Sequence, residues 1–158
     1  MTISINRFYL IMLAGLAGGL AEILWISMYS AATHAAGWEI SRQITASVIP
    51  ALAGSAIAPV LGVVMHLVLS VMLAFLCCKV FIDPVARRLG QAVILPASMV
   101  VLGGVWVINF LIILPVINPA FVTLLPFLVM LASKILFGWT MGTVLTQEFG
   151  DTANQSTH

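Results

Sequence analysis

The chain has 158 residues, 62% of them hydrophobic and 7% charged, with a formal net charge of +1. A chain of this size cannot bury that much apolar surface in its own core, and a mean hydropathy of +1.18 excludes a soluble globular domain. The near-neutral balance offers neither a nucleic-acid footprint nor an acidic ligand field, so no nucleic-acid partner is expected.

Crossing about 30 Å of hydrocarbon takes about 20 apolar residues in a helix, because lipid leaves every backbone group to be satisfied within its own segment. Four stretches qualify, at residues 8–29, 59–80, 92–113 and 122–145, which predicts an all-α membrane protein with the lipid bilayer as its surroundings. Residues 1–147 read as a single four-helix transmembrane domain, and 148–158 as a disordered polar tail. The first span follows an Arg7-bearing leader, as a secretory signal would. Its apolar run continues through Leu24, Trp25 and Ile26, past the roughly 7 to 15 residues of a signal core, so it reads as a retained helix.

Arg7, Lys79, Arg87 and Arg88 flank the spans on one side, and Arg42 stands alone on the other. That bias predicts a multi-pass protein of the bacterial inner (cytoplasmic) membrane, with both termini and an Asp83-Pro84 turn in the cytoplasm. In the long first connection, Trp38, Ile40, Ile44 and Val48 recur at near-helical spacing with Glu39, Arg42, Gln43 and Thr45 between them. The pattern predicts a short external amphipathic helix in the interface plane; the alternative is a loop capped by Pro50 and Gly54.

The two halves resemble one another. His66 in the second span is followed by Ser70 and Ala74, as Lys134 in the fourth is by Gly138 and Gly142, while Gly18-Gly19 and Gly103-Gly104 hold corresponding places in the first and third. A tandem two-helix repeat of parallel halves would account for this; chance recurrence of small residues is the competitor. Independently of any repeat, Gly15, Gly18, Gly19, Gly62, Ser70, Ala74, Gly138 and Gly142 remove side-chain bulk and mark helix-packing faces.

Glu22, His66, Asn109 and Lys134 form a candidate intramembrane polar cluster, one residue from each span. A rise of about 1.5 Å per residue puts Glu22 and His66 at similar depth, with Asn109 and Lys134 in the same half or near the midplane. A charged side chain at the helix centre costs roughly 2.5 to 3.5 kcal/mol, so these groups should face one another. The expected core is a Glu22–Lys134 pair, completed by His66 and Asn109. Such a set either fixes helix register or lines an ion, proton or substrate path. A proton route needs a group titrating near neutrality, which histidine supplies, although pairing Glu22 to Lys134 works against using that carboxylate for protons.

No phosphate loop, His-Glu-x-x-His, Cys-x-x-Cys or serine-elbow pattern appears, so no catalytic residue is assigned, no enzyme activity is favoured and no cofactor or metal is expected. A single intramembrane histidine excludes intrachain bis-histidine haem, leaving only a shared site in an oligomer. The methionines, Met65 and Met72 among them, read as gap-filling core, and Cys77-Cys78 as small buried packing.

The stretch Ala17-Gly18-Gly19-Leu20-Ala21-Glu22-Ile23-Leu24-Trp25 resembles the first helix of the small multidrug resistance transporters. That resemblance implies a membrane-embedded glutamate, Glu22, that binds protons and cationic substrates in turn. The long first connection, His66 and Lys134 depart from that family's pattern. The whole-chain pattern more loosely resembles uncharacterised bacterial four-helix inner-membrane proteins. Small extramembrane mass and faces rich in small residues predict a non-catalytic accessory or structural subunit of a homo-oligomer or larger membrane complex. The alternative is a small proton- or ion-coupled transporter using Glu22, His66 and Lys134; a membrane enzyme or quinone site is a third reading.

Overall fold

Prolines and one glycine decide where this almost wholly helical chain bends. In a computed structural model, which describes residues 5–34 and 37–155, with side chains to 147, there is no strand among the described residues. Helix α1, Ile5–Thr33, is the first span; α2, Gly37–Val48, lies in the long connection. After a 3-10 turn at Pro50–Leu52, α3, Ala58–Cys77, runs through a π turn, Cys78–Ile82, into α4, Asp83–Leu89. A second 3-10 turn, Gln91–Val93, leads to α5, Ile94–Ile108, then to a π turn, Asn109–Ile113, and α6, Leu114–Ile117. The short α7, Pro119–Val122, precedes the last helix, α8, Phe127–Gln155.

Four continuous helical stretches are long and apolar enough to cross a membrane: Ile5–Thr33, Ala58–Leu89, Gln91–Ile117 and Phe127–Gln147. The molecule is a multi-pass, all-α membrane protein. Its outer faces carry Val60, Val64, Val68, Met72, Leu76, Val100 and Leu128, all exposed, as helix surfaces bathed in acyl chains would.

Three boundaries differ from those expected. The chain does not turn at Asp83-Pro84 but continues helically and reverses at Gly90, whose φ of 85° only glycine adopts without strain. The fourth span starts at Phe127 and not at position 122, because residues 119–122 form a separate turn and Pro126 opens the next helix. At the chain's end the backbone of α8 is carried to Gln155; the side chains of 148–158, expected as a polar tail, lie outside the described residues. Both π turns end just before a proline pair, Asp83-Pro84 and Leu114-Pro115. A proline ring collides with the carbonyl four residues back and offers it no N–H, and a widened turn ahead of the ring relieves both problems.

Packing follows the small residues. A Cβ on Gly15 would stand 2.8 Å from the Val71 backbone and one on Gly19 2.7 Å from Ser70 Oγ, so α1 and α3 meet backbone to backbone. On the other side α8 meets α5 in the same way, with Gly138 against the Ser98 carbonyl and Gly142 against Leu95. Gly18 receives the fully buried ring of Phe137, joining α1 to α8. The two halves thus share a hairpin zipped by small residues, but their glycine pairs differ. Gly103 meets only Ile135, and Gly104 has nothing within 4 Å.

Two apolar clusters result. One, around Ile11, Cys77, Cys78, Leu102, Phe137 and Met141, fills the N-terminal side. The other, Ile40, Trp106, Phe110, Leu114, Phe121, Leu125 and Met130, fills the side of α2. At the N-terminal side Arg7 donates to Asp83, tying the start of α1 to α4.

Helix α2 exists over the expected residues but does not simply lay one apolar stripe outward. Ile40 and Thr45 are buried while Trp38 and Val48 are exposed. It crosses α3 so closely that a Cβ on Gly62 would sit 1.8 Å from the Ser41 carbonyl oxygen. Thr45 donates to the Ala58 carbonyl across the same contact at 2.6 Å.

Candidate functional site

Between the two apolar clusters lie the charges. Glu22 is 4% exposed, on the face of α1 that carries Gly15, Gly18 and Gly19. The glycines let α3 and α8 approach, and those helices supply its partners. Lys134 Nζ donates to Glu22 Oε2 at 2.7 Å. Ser133 Oγ stands 3.0 Å from Glu22 Oε1 and 2.8 Å from the Met130 carbonyl oxygen, so its one proton is shared between two acceptors. His66 Nε2 lies 3.6 Å from Glu22 Oε2, beyond hydrogen-bond length, and is buried with no hydrogen-bond partner. Its ring also lies against the backbone of Gly19. The Lys134 ammonium is 5.6 Å from the Phe137 ring centroid, a second favourable contact for a desolvated cation.

These groups do not sit in a sealed helix contact. They form one wall of a cavity of about 830 Å³, which also takes in Asn109, Ser27 and Ser30. Helix α3 packs on α1 and α2, and α5 packs on α8, but α3 and α5 approach each other mainly through the turn at residues 78–82. The cavity fills the space left between them. Apolar side chains, among them Ile26, Val63, Leu69, Val105 and Phe110, make up most of its lining. Asn109 begins the second π turn and is half-buried. Among the described residues, Glu22, His66 and Lys134 are the titratable ones of the lining.

Over the end of the cavity lies α2, held by a residue that composition does not single out. Asn118 Nδ2 stands 3.2 Å from the Gln43 carbonyl oxygen, 3.0 Å from Gln43 Oε1 and 2.9 Å from Ser47 Oγ. Its Oδ1 accepts from the Phe121 amide and caps α7.

The chain matches no family model, no curated protein and no solved structure. The nine-residue likeness around Glu22 to the small multidrug resistance transporters is therefore a local one.

Of the residues singled out from sequence, the structure brings Glu22, His66, Asn109 and Lys134 to one cavity. Gly15, Gly18, Gly19, Gly62, Ser70, Ala74, Gly138 and Gly142 lie in contacts between helices of the same chain. Sequence reasoning missed Ser133 and Asn118. A serine in an apolar helix and an asparagine before a proline are both common enough to carry no signal. Among the described residues no group of three His, Cys, Asp or Glu is placed to hold a metal ion. Cys77 and Cys78 are buried in the N-terminal cluster, away from the cavity. The site offers one carboxylate, one ammonium and one imidazole whose Nε2 has no partner, groups whose chemistry is proton exchange and the binding of charge.

Proposed function

We propose that this protein is a small carrier that binds a solute inside the membrane and couples its movement to protons through Glu22, His66 and Lys134. One observation carries the reading: the ion pair and an imidazole whose Nε2 has no hydrogen-bond partner line a cavity large enough for a small molecule. Ligand sites commonly enclose about 300 to 1,000 Å³, mostly apolar with a few convergent polar groups. A pair serving only to fix helix register gains nothing from such a space, since every void beside it forgoes packing.

The accessory-subunit reading draws on small extramembrane mass and on small-residue faces, and of these the small-residue faces are used within the chain. The small extramembrane mass still supports it, as does the open side between α3 and α5, which a partner's helix could fill.

Reconstituted vesicles carrying an internal pH dye test the carrier reading. Solutes are presented by class: organic cations, organic anions and zwitterions. At least one class should evoke a pH response in the wild type that Glu22→Gln abolishes. A protein giving no response to any class, or equal responses in the variant, overturns the proposal. A stoichiometric partner on native purification would favour the subunit reading.

A further inference from the structure

Which solute the cavity takes follows from its charge. The inference rests on the carrier reading and deepens it: we propose that the ligand is an amphipathic organic monoanion, a carboxylate with an apolar body, bound together with one proton taken up by His66.

With His66 neutral, Glu22 and Lys134 cancel, and they and His66 are the titratable groups lining the cavity from α1, α3 and α8; α2, α5 and α6 contribute none. The burial of these side chains among apolar neighbours favours that neutrality, because each uncompensated buried charge is expensive. A bound cation would leave the site at plus one, and the only proton available for release would be the Lys134 ammonium's own. A bound anion leaves it at minus one, and there is a vacant place for the compensating proton. That place is His66 Nε2, buried, without a partner and 3.6 Å from Glu22 Oε2.

The geometry also supplies a switch of partners. Protonated at Nε2, His66 donates toward Glu22 Oε2, the same oxygen that now accepts from Lys134. Glu22 keeps Ser133 on Oε1 and gains the imidazolium, so Lys134 is released to turn its ammonium toward the cavity and receive the ligand's carboxylate. The proton comes from water and goes to Nε2; no covalent bond to the ligand forms or breaks. Two cations then face two anions. Leu69, Val63, Val105 and Phe110 line the remaining space and suit an apolar body, while Asn109, also in the lining, carries an amide able to hydrogen-bond the carboxylate.

Calorimetry on the purified protein in detergent tests this, using 4-phenylbutyrate and octanoate as probes beside the length-matched amines. The carboxylates should bind, with an uptake of close to one proton shown by repeating the titration in buffers of different ionisation heat. The amines should bind at least tenfold more weakly. His66→Gln should weaken carboxylate binding about tenfold and remove the proton uptake, and Lys134→Met should abolish it. Preferential binding of the amines, binding of neither, or carboxylate binding without proton uptake overturns the inference. In that event, a Glu22-dependent vesicle response to cations or zwitterions would leave the carrier reading standing, and no response at all would remove both.

Discussion

Glu22 and Lys134 make sense only together. The Glu22 side chain is 5% and that of Lys134 14% exposed, at a distance of 2.7 Å, so deleting either leaves the other charged in an apolar interior. In proteins generally, removing one partner of such a pair costs about 3 to 5 kcal/mol, while replacing both costs far less. Glu22→Gln and Lys134→Met should each lower the unfolding midpoint in detergent. The double variant should recover most of the loss; additive losses would mean the two do not couple. His66 stands apart in this respect: its Nε2 has no hydrogen bond to lose, so His66→Gln should change stability much less than either charge deletion. A loss as large as that of Lys134→Met would mean that its contact with the Gly19 backbone holds α3 to α1 as firmly as the ion pair holds α8.

At the scale of elements, steric contact and hydrogen bonding rank the positions. Gly62 and Gly104 both lie in apolar spanning helices, yet a Cβ on the first would strike the Ser41 carbonyl at 1.8 Å and on the second would meet nothing. Gly62→Ala should therefore force α2 off α3 and lower the melting temperature. Gly104→Ala should be neutral or slightly stabilising, since alanine exceeds glycine by about 1 kcal/mol in helix propensity. Equal effects in the two variants would contradict the packing. Asn118→Ala removes three acceptor contacts from α2 and should speed hydrogen exchange over residues 37–48 without unfolding α3; unchanged exchange there would mean Asn118 does not hold the helix.

Much of this layer was legible in advance. Spacing of Trp38, Ile40, Ile44 and Val48 located α2, and four-residue steps of glycine located the zippers. What spacing could not show is orientation. Nothing in a single sequence says that Thr45 and Ser41 would face α3, or that Pro84 and Pro115 would be accommodated by π turns in continuous helices instead of ending them. The polar residues of the site announced themselves because oil rejects them. The cavity did not, because a space is the absence of contact between α3 and α5, and only three dimensions record it.

For the whole molecule, asymmetry is the feature that matters. Basic residues Arg7, Lys79, Arg87 and Arg88 gather at the end opposite α2. By the preference of short basic loops for the cytoplasm, a cysteine at Arg88 should resist a membrane-impermeant maleimide in intact cells, and one at Gly54 should react. The reverse pattern would invert the protein. A second asymmetry lies within the bundle, where α1 and α8 pack tightly at the centre while α3 and α5 stand apart.

A carrier of this kind requires that its charged wall face a cavity that aqueous solutes reach. Cysteines at Ser27 and Asn109, placed in turn in a background lacking Cys77 and Cys78, line that cavity, while one at the exposed Val100 faces lipid. The thiolate, which forms only where water reaches the sulfur, attacks the sulfenyl sulfur of a thiosulfonate reagent and expels sulfinate, leaving a mixed disulfide. A small water-soluble reagent should therefore modify both cavity cysteines in vesicles and leave the Val100 cysteine untouched. Reaction at none of the three would mean a dry, sealed interior, in which Glu22, His66 and Lys134 hold the helices together and carry nothing.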